Sequence, residues 1–192
     1  MSKKLPVYKL VMSDDLDNTG VNFIALVDEP AIQTNWFAFD NVVKFSADKK
    51  RQMVTMPIMI ADLPIYRRDN ERGEYYVVFD ASQIEMIQHK FMKENKLHNV
   101  NEMHDANKKV DGVYLVNSFV TDKEMGIEAP SMFSDLPYGT WFGTYKFDNT
   151  EAWSKALDGQ FNGVSVEFVG ELVDEKLQME KKIKQLINEI IQ

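Results

Sequence analysis

One serine on a strand-like segment and three histidines are the residues of this chain whose types and placement best suit nucleophilic chemistry. A histidine that acts as a general base must be His89, His98 or His104. His89 falls in a predicted helix and His98 in a polar turn, so both are expected at the surface. His104 ends a predicted strand and is followed by Asp105. Taken alone, such a histidine is more often a hydrogen-bonded core residue than a catalyst.

Ser165 differs from the other serines, most of which lie in predicted turns or helix caps, where serine is common. It lies in the middle of the predicted strand Gly-Val-Ser-Val-Glu-Phe at 163–168. Alternation along a strand places the three apolar side chains on one face and Gly163, Ser165 and Glu167 on the other. This pattern fits an ordinary half-exposed strand. It also fits a nucleophile beside a glycine that lets a substrate backbone approach.

Several other classes of site are disfavoured by what the sequence lacks. There is no Gly-x-Ser-x-Gly, no His-Glu-x-x-His and no glycine-rich phosphate loop. The absence of cysteine excludes thiolate nucleophiles and cysteine-based zinc sites. A net charge of -8 disfavours nucleic acid as a partner. No signal peptide and no apolar run of about 18 residues is found, so no membrane partner is expected. Neither a metal nor an organic cofactor is predicted.

Hydrophobic periodicity predicts many short strands and few helices. Strands are predicted at 7–12, 21–27, 35–39, 53–61, 74–79, 100–104, 112–121, 140–147 and 163–169, and helices at 81–95 and 150–157. Residues 122–138 form a predicted long loop. The expected fold class is α+β, mainly β, with a closed or nearly closed antiparallel barrel and flanking helices.

The end of the chain differs in character from the rest. Two units are predicted: a β-barrel domain at 1–172 and an amphipathic helix at 173–192. Met179, Ile183, Leu186 and Ile190 have a near-heptad spacing on one face of this helix. The helix is therefore expected either to pack on its own domain or to bind a partner or a second copy.

Four segments in this order resemble the prohead proteases of tailed phages, especially the XkdF-like branch. That family has a His-Asp pair on a strand and, far downstream, a short helix ending in glycine before a Gly-x-Ser strand. In chain order, the matching segments are 64–69 with 73–76, then Asn-Val-Asn-Glu-Met-His-Asp at 99–105, then 139–146, and finally 153–167, which contains Gly163 and Ser165. The resemblance extends over about residues 21–168.

This resemblance implies a fold similar to herpesvirus assemblin, with Ser165 as the nucleophile and His104 as the general base. It also implies a serine endopeptidase that processes the major capsid protein and the scaffold during prohead maturation. Such an enzyme would need no cofactor, would act as a homo-oligomer, and would work in the host cytoplasm inside the phage procapsid. The alternatives are a catalytically inactive protease-fold protein associated with scaffold or procapsid, and an unrelated β-barrel binding module.

The third catalytic member departs from the family pattern. In the relatives, a polar residue at the position matched by Phe23 completes the triad, and its strand follows the serine instead of preceding the histidine. We therefore expect a circularly permuted barrel. We expect Glu167 to take the third role because it shares a strand face with Ser165. Glu102 is the second candidate and Asp105 the third.

Overall fold

The computed structural model describes residues 5–12, 19–28 and 46–174, together with 176, 179, 180, 183, 184 and 187. Within these residues the structure is mainly β, with two α-helices. The helices are α1 (Ala81–Lys93) and α2 (Thr150–Leu157). The strands are β1 (Val7–Val11), β2 (Gly20–Val27), β3 (Ser46–Asp48), β4 (Met53–Met59), β5 (Ile65–Asp69), β6 (Gly73–Val78), β7 (Val100–Glu102), β8 (Asp105–Lys109), β9 (Val113–Val120), β10 (Trp141–Phe147), β11 (Gly163–Val169) and β12 (Glu171–Asp174).

These strands form three separate four-stranded sheets. We call them sheet A (order β12-β1-β6-β5), sheet B (β11-β2-β7-β8) and sheet C (β3-β4-β10-β9). Most neighbours are antiparallel, but β1 pairs with β6 and β2 pairs with β7 in parallel. In each sheet, the strand at either edge has only one hydrogen-bonded neighbour. All three sheets are therefore open among the described residues.

The predicted closed or nearly closed antiparallel barrel is therefore wrong, and so is the permuted assemblin-like barrel. Closure requires every strand to have a neighbour on both sides, with a common tilt and stagger. Several of these strands have only three to five residues, and two of the pairings are parallel. The alternation in the sequence reveals that a segment is a strand, but it does not reveal which strand lies beside it.

The two helices begin at side-chain caps. The Asp80 carboxylate accepts a hydrogen bond from the backbone N–H of Gln83 at 2.9 Å, which satisfies a donor that the first turn of α1 leaves free. The Asn149 side chain does the same for Ala152 at the start of α2. Both helices are confirmed, although α1 ends two residues before the predicted boundary.

The core lies around β10, whose residues from Trp141 to Tyr145 are all buried. Gly143 is required there by close packing. A Cβ atom at Gly143 would lie 2.6 Å from the Cδ1 of Ile58 and 2.7 Å from the Cδ1 of Leu115. Helix α1 packs against β2 of sheet B, and β4 of sheet C packs against β11, so both strands contribute apolar residues to the same core.

The other predicted elements have mixed outcomes. The strand at 163–169 is confirmed as β11, whereas the predicted strand at 100–104 ends at Glu102. Residues 122–138 form a loop with one isolated bridge and a single 3-10 turn. The predicted strand at 35–39 lies outside the described residues.

Eight residues of the segment predicted as a C-terminal helix are described. Residues 173 and 174 belong to β12, so the helix does not begin at 173, and the other six residues are helical and exposed. They include the apolar residues Met179, Ile183 and Ile187. The division into 1–172 and 173–192 stays a prediction. Among all the helical residues that the structure describes, no helix is long and apolar enough to cross a membrane.

Candidate active site

Ser165 lies in the middle of β11, at one edge of sheet B. The register pairs Ser165 with Ala25 of the central strand β2. Val164 on the opposite face belongs to the apolar core, as strand alternation requires. Ser165 is 5% exposed, and its hydroxyl makes no hydrogen bond to the described part of the chain. A hydroxyl without a fixed partner is available to exchange its proton with an incoming group.

His104 lies in a tight turn and not in a strand, so the prediction that it ends a strand is wrong. Met103 and His104 have φ values of 52° and 59°, and they connect Glu102 of β7 directly to Asp105 of β8. Two consecutive left-handed residues characterise the two-residue hairpin turn that suits the twist of the flanking strands. The sequence lacks the usual Asn-Gly or Asp-Gly signal at this turn, which explains why the strand was predicted too long.

The β7–β8 turn brings His104 to Glu167 of β11. The imidazole Nδ1 lies 3.1 Å from the Oε1 of Glu167. The two side chains are 37% and 41% exposed, so water screens the attraction between them. A carboxylate at this distance accepts the Nδ1–H and selects the tautomer whose Nε2 carries a lone pair. Such an imidazole can take a proton at Nε2.

The position of Glu167 has a local explanation. The β2–β11 register shifts between Val166 and Phe168, so Asn22 and Phe23 of β2 face Glu167 alone. Phe23 is the residue found where a polar third member was expected from the family pattern. The structure therefore places a carboxylate directly across the sheet from Phe23, on the neighbouring strand.

Ser165 and Glu167 line the same pocket, which has a volume of about 310 Å³. The other walls are contributed by all three sheets and are mostly apolar; they include Leu10, Ile58, Ile65, Phe79, Val166 and Phe168. Within the described residues, Ser165 and His104 share no hydrogen bond. The structure thus brings His104 to Glu167, and Glu167 to the pocket of Ser165, without a direct serine–histidine bond.

The two other carboxylates considered for the third role have different partners. The Oε1 of Glu102 accepts a hydrogen bond from the Nζ of Lys155 at 2.9 Å. That hydrogen bond raises the pKa of the Lys155 ammonium. Asp105 accepts a hydrogen bond from the backbone N–H of Asn107 in its own hairpin. Neither carboxylate is hydrogen-bonded to His104.

One residue of this region escaped the sequence analysis. Asn101 of β7 pairs with Ala25, as Ser165 does from the other side, and it is 0% exposed. Its only sequence signal is a polar residue inside a short strand, which is too common to single out. Among the described residues, no group of three or more histidine and acidic side chains could hold a metal ion.

Comparison with known proteins identifies the family. No curated protein and no solved structure matches the chain significantly. A family model described as "Putative phage serine protease XkdF" matches residues 42–174, which is more than half of the chain. The matched segment includes His104, Ser165 and Glu167. The chain therefore belongs to this XkdF family of phage proteases.

Proposed function

We propose that this protein is a serine endopeptidase that processes capsid and scaffold proteins during phage prohead maturation. The observation that carries the proposal is the contact of His104 Nδ1 with Glu167, two residues along β11 from Ser165. A carboxylate on Nδ1 is the arrangement that orients a histidine for proton transfer at its other nitrogen. Membership of a phage serine protease family supports the same chemistry.

In the proposed reaction, Ser165 Oγ attacks a peptide carbonyl carbon while His104 Nε2 takes the hydroxyl proton. The new Oγ–C bond forms as the carbonyl electron pair moves onto oxygen. When the C–N bond breaks, the imidazolium returns the proton to the leaving amine, and water then hydrolyses the acyl-enzyme. Glu167 stabilises the imidazolium throughout. Catalytic hydrogen bonds are often long before substrate binds, so the missing serine–histidine bond is compatible with this sequence of steps.

The pocket beside Ser165 supports a protein substrate. Its walls combine apolar side chains from three sheets with the edge strand β11. An apolar side chain next to the scissile bond would displace water from these walls and anchor the substrate. We infer that the cleaved sites carry an apolar residue close to the bond that is cut.

The proposed setting is the interior of the procapsid in the host cytoplasm, where the major capsid protein and the scaffold are the substrates. Self-association is proposed through the C-terminal helix. Its described residues Met179, Ile183 and Ile187 are apolar, exposed and spaced four apart, so they form one stripe on a helix. Such a stripe is suited to a partner helix.

A second candidate is a catalytically inactive protease-fold protein associated with the scaffold. The specific observation in its favour is that Ser165 is buried and lacks a hydrogen bond to His104 in the described part of the chain. Under this alternative, His104 and Glu167 would serve only to attach the β7–β8 turn to β11. The two candidates differ in whether the Ser165 hydroxyl reacts.

The decisive experiment co-expresses the chain with its capsid and scaffold proteins and follows the products by mass spectrometry. We expect specific cleavage by the wild type and none by Ser165→Ala. Ser154→Ala is the matched control, because Ser154 is an exposed serine of α2. Cleavage that persists in Ser165→Ala would contradict the proposed nucleophile. Intact substrates with the wild type, in assembled procapsids, would favour the inactive alternative.

A further inference from the structure

The further inference concerns Asn101, and it rests on the proposed function of Ser165. Asn101 is completely buried, yet neither its side-chain oxygen nor its side-chain nitrogen has a hydrogen-bond partner in the part of the chain that the structure describes. A buried amide without partners costs about 1–3 kcal/mol. Nearly all buried polar groups in folded proteins are paired, so an unpaired one requires an explanation.

Several other buried polar side chains in the described part of the chain are paired. Gln88 donates to Ser118 Oγ at 2.9 Å, and Thr144 shares a 2.9 Å hydrogen bond with Thr55. Asn101 is different, since both polar atoms of its side chain are fully buried and have no partner in that part of the chain. Ser165, which is 5% exposed, likewise makes no side-chain hydrogen bond within the described residues. The two residues are neighbours in the sheet.

The strand register defines how Asn101 and Ser165 face each other. Ala25 pairs with Ser165 on one side and with Asn101 on the other. Residues paired across neighbouring strands share a sheet face, and two strand spacings separate the outer Cα atoms by about 10 Å. The side chain between them is only the methyl group of Ala25. No large side chain therefore separates the serine hydroxyl from the carboxamide.

We propose that the Asn101 carboxamide is the oxyanion donor of the active site, donating its Nδ2–H to the oxygen that becomes negative when Ser165 attacks. The tetrahedral oxygen is bonded to the carbon that Oγ attacks, so it forms next to Ser165. On this face of sheet B, Asn101 is the next polar side chain across from Ser165. The carboxamide is neutral and donates without needing a proton from solution. Its complete burial strengthens the interaction, because a donor shielded from water acts at low dielectric.

The assignment explains why the amide is unpaired in the free protein. A donor that already had a protein partner would have to break that bond at the transition state. An unpaired donor loses nothing when the oxyanion forms, so the cost of its burial in the folded protein is recovered during the reaction. Asn101 is then a catalytic residue of the proposed reaction, because it touches the reacting oxygen.

The test measures the rate at which a fluorophosphonate probe labels the full-length protein. In this reaction the Oγ–P bond forms, the P–F bond breaks and fluoride leaves, while the hydroxyl proton passes to His104. We expect Asn101→Leu to be labelled about 100- to 1,000-fold more slowly than the wild type, the usual loss for one oxyanion donor. We also expect Asn101→Leu to unfold at a temperature no lower than the wild type, because the unpaired amide is gone.

Tyr145→Phe is the matched control, since Tyr145 Oη is also buried without a partner but lies in sheet C. It should be labelled at the wild-type rate. Asn101→Ala, which removes the carboxamide and is smaller than asparagine, gives a second reading if leucine is not accommodated, and it should also be slow.

The outcomes separate this inference from the function on which it rests. A labelling rate for Asn101→Leu or Asn101→Ala within about threefold of the wild type would overturn the role of Asn101 alone. A wild type that is not labelled, or a Ser165→Ala variant that still is, would contradict the proposed nucleophile, and the Asn101 assignment would fall with it. Slow labelling of Tyr145→Phe as well would indicate a general effect of core substitutions and would also overturn the assignment.

Discussion

Sheets B and C each contain a side chain whose polar atoms are fully buried and have no hydrogen-bond partner among the described residues, Asn101 and Tyr145 respectively, and the two surroundings differ. In sheet C, Tyr145 of β10 lies between Val54 and Leu115 on the neighbouring strands, so its hydroxyl faces apolar core. In sheet B, Asn101 lies one alanine away from Ser165. An unpaired buried polar group therefore lowers stability in sheet C, whereas in sheet B it is a candidate catalytic feature.

This contrast suggests that sheet C carries stability and sheet B carries function. β10 has five consecutive buried residues and a glycine that is required by close packing. β11 is an edge strand that lines the pocket, and β7 leads into the left-handed turn of His104. Substitutions of the polar residues Asn101, Ser165 and Glu167 in sheet B should therefore change activity at nearly constant stability, and substitution of Tyr145 in sheet C should do the reverse.

The largest effect is expected at His104. His104→Asn should reduce cleavage by on the order of 10⁴-fold or more, comparable with loss of the serine, because residues that act as a unit fail together. Asparagine tolerates the left-handed φ of 59° at this turn, so the hairpin should persist. The measurement is the cleavage rate of wild type, single variants and the Ser165→Ala double variant. His89→Asn, at an exposed position of α1, is the control.

A clear loss of activity in His89→Asn, or full activity in His104→Asn, would remove His104 from the mechanism. The double variant should be no slower than either single variant. If the two losses multiplied instead, the two residues would act independently. That result would contradict the proposal that Ser165 and His104 form a proton-transfer pair.

A smaller loss is expected at Glu167. Glu167→Gln should slow cleavage by roughly 10- to 100-fold, since losing a buried third member costs about 10⁴-fold and this carboxylate is partly solvated. Glu102→Gln is the matched control, because Glu102 is bound by Lys155 instead of His104. Rates for both variants, with unfolding temperatures measured alongside, discriminate between the two carboxylates. If Glu102→Gln were the slower enzyme, the third role would belong to Glu102.

The smallest effect is expected in sheet C. Tyr145→Phe should increase the free energy of unfolding by about 1 kcal/mol, because it removes a buried hydroxyl that has no partner. Cleavage should be unchanged. Denaturant unfolding of the two proteins measures the difference. A destabilised variant would mean that the hydroxyl does have a partner in solution, such as a buried water.

The same substitution should alter the pH dependence of stability. Burial raises the pKa of the Tyr145 phenol well above its ordinary value. Above pH about 10, a solvated tyrosine of the unfolded chain releases its proton while the buried phenol keeps its proton, so the unfolded state is favoured as pH rises. The stability advantage of Tyr145→Phe should therefore grow above pH about 10. A constant difference between pH 8 and 11 would contradict this account.

Much of the local structure could be predicted from the sequence because its causes are local. The caps Asp80 and Asn149 and the apolar spacing after them define where α1 and α2 begin. The alternation at 163–169 predicts β11 with its correct bounds, with Val164 in the core. The same alternation singled out Ser165 and Glu167 as residues of one face.

Only the tertiary structure decided how these pieces meet. Strand pairing depends on residues far apart in the chain, so the sequence could not exclude a closed barrel or reveal three open sheets. The left-handed turn at Met103 and His104 brings the Nδ1 of His104 within 3.1 Å of the Oε1 of Glu167, although the two residues are 63 positions apart in the chain. The row of Ser165, Ala25 and Asn101 exists only through the β2–β11 and β2–β7 registers. An unpaired buried amide is invisible in a sequence, because burial and partners are properties of the folded chain.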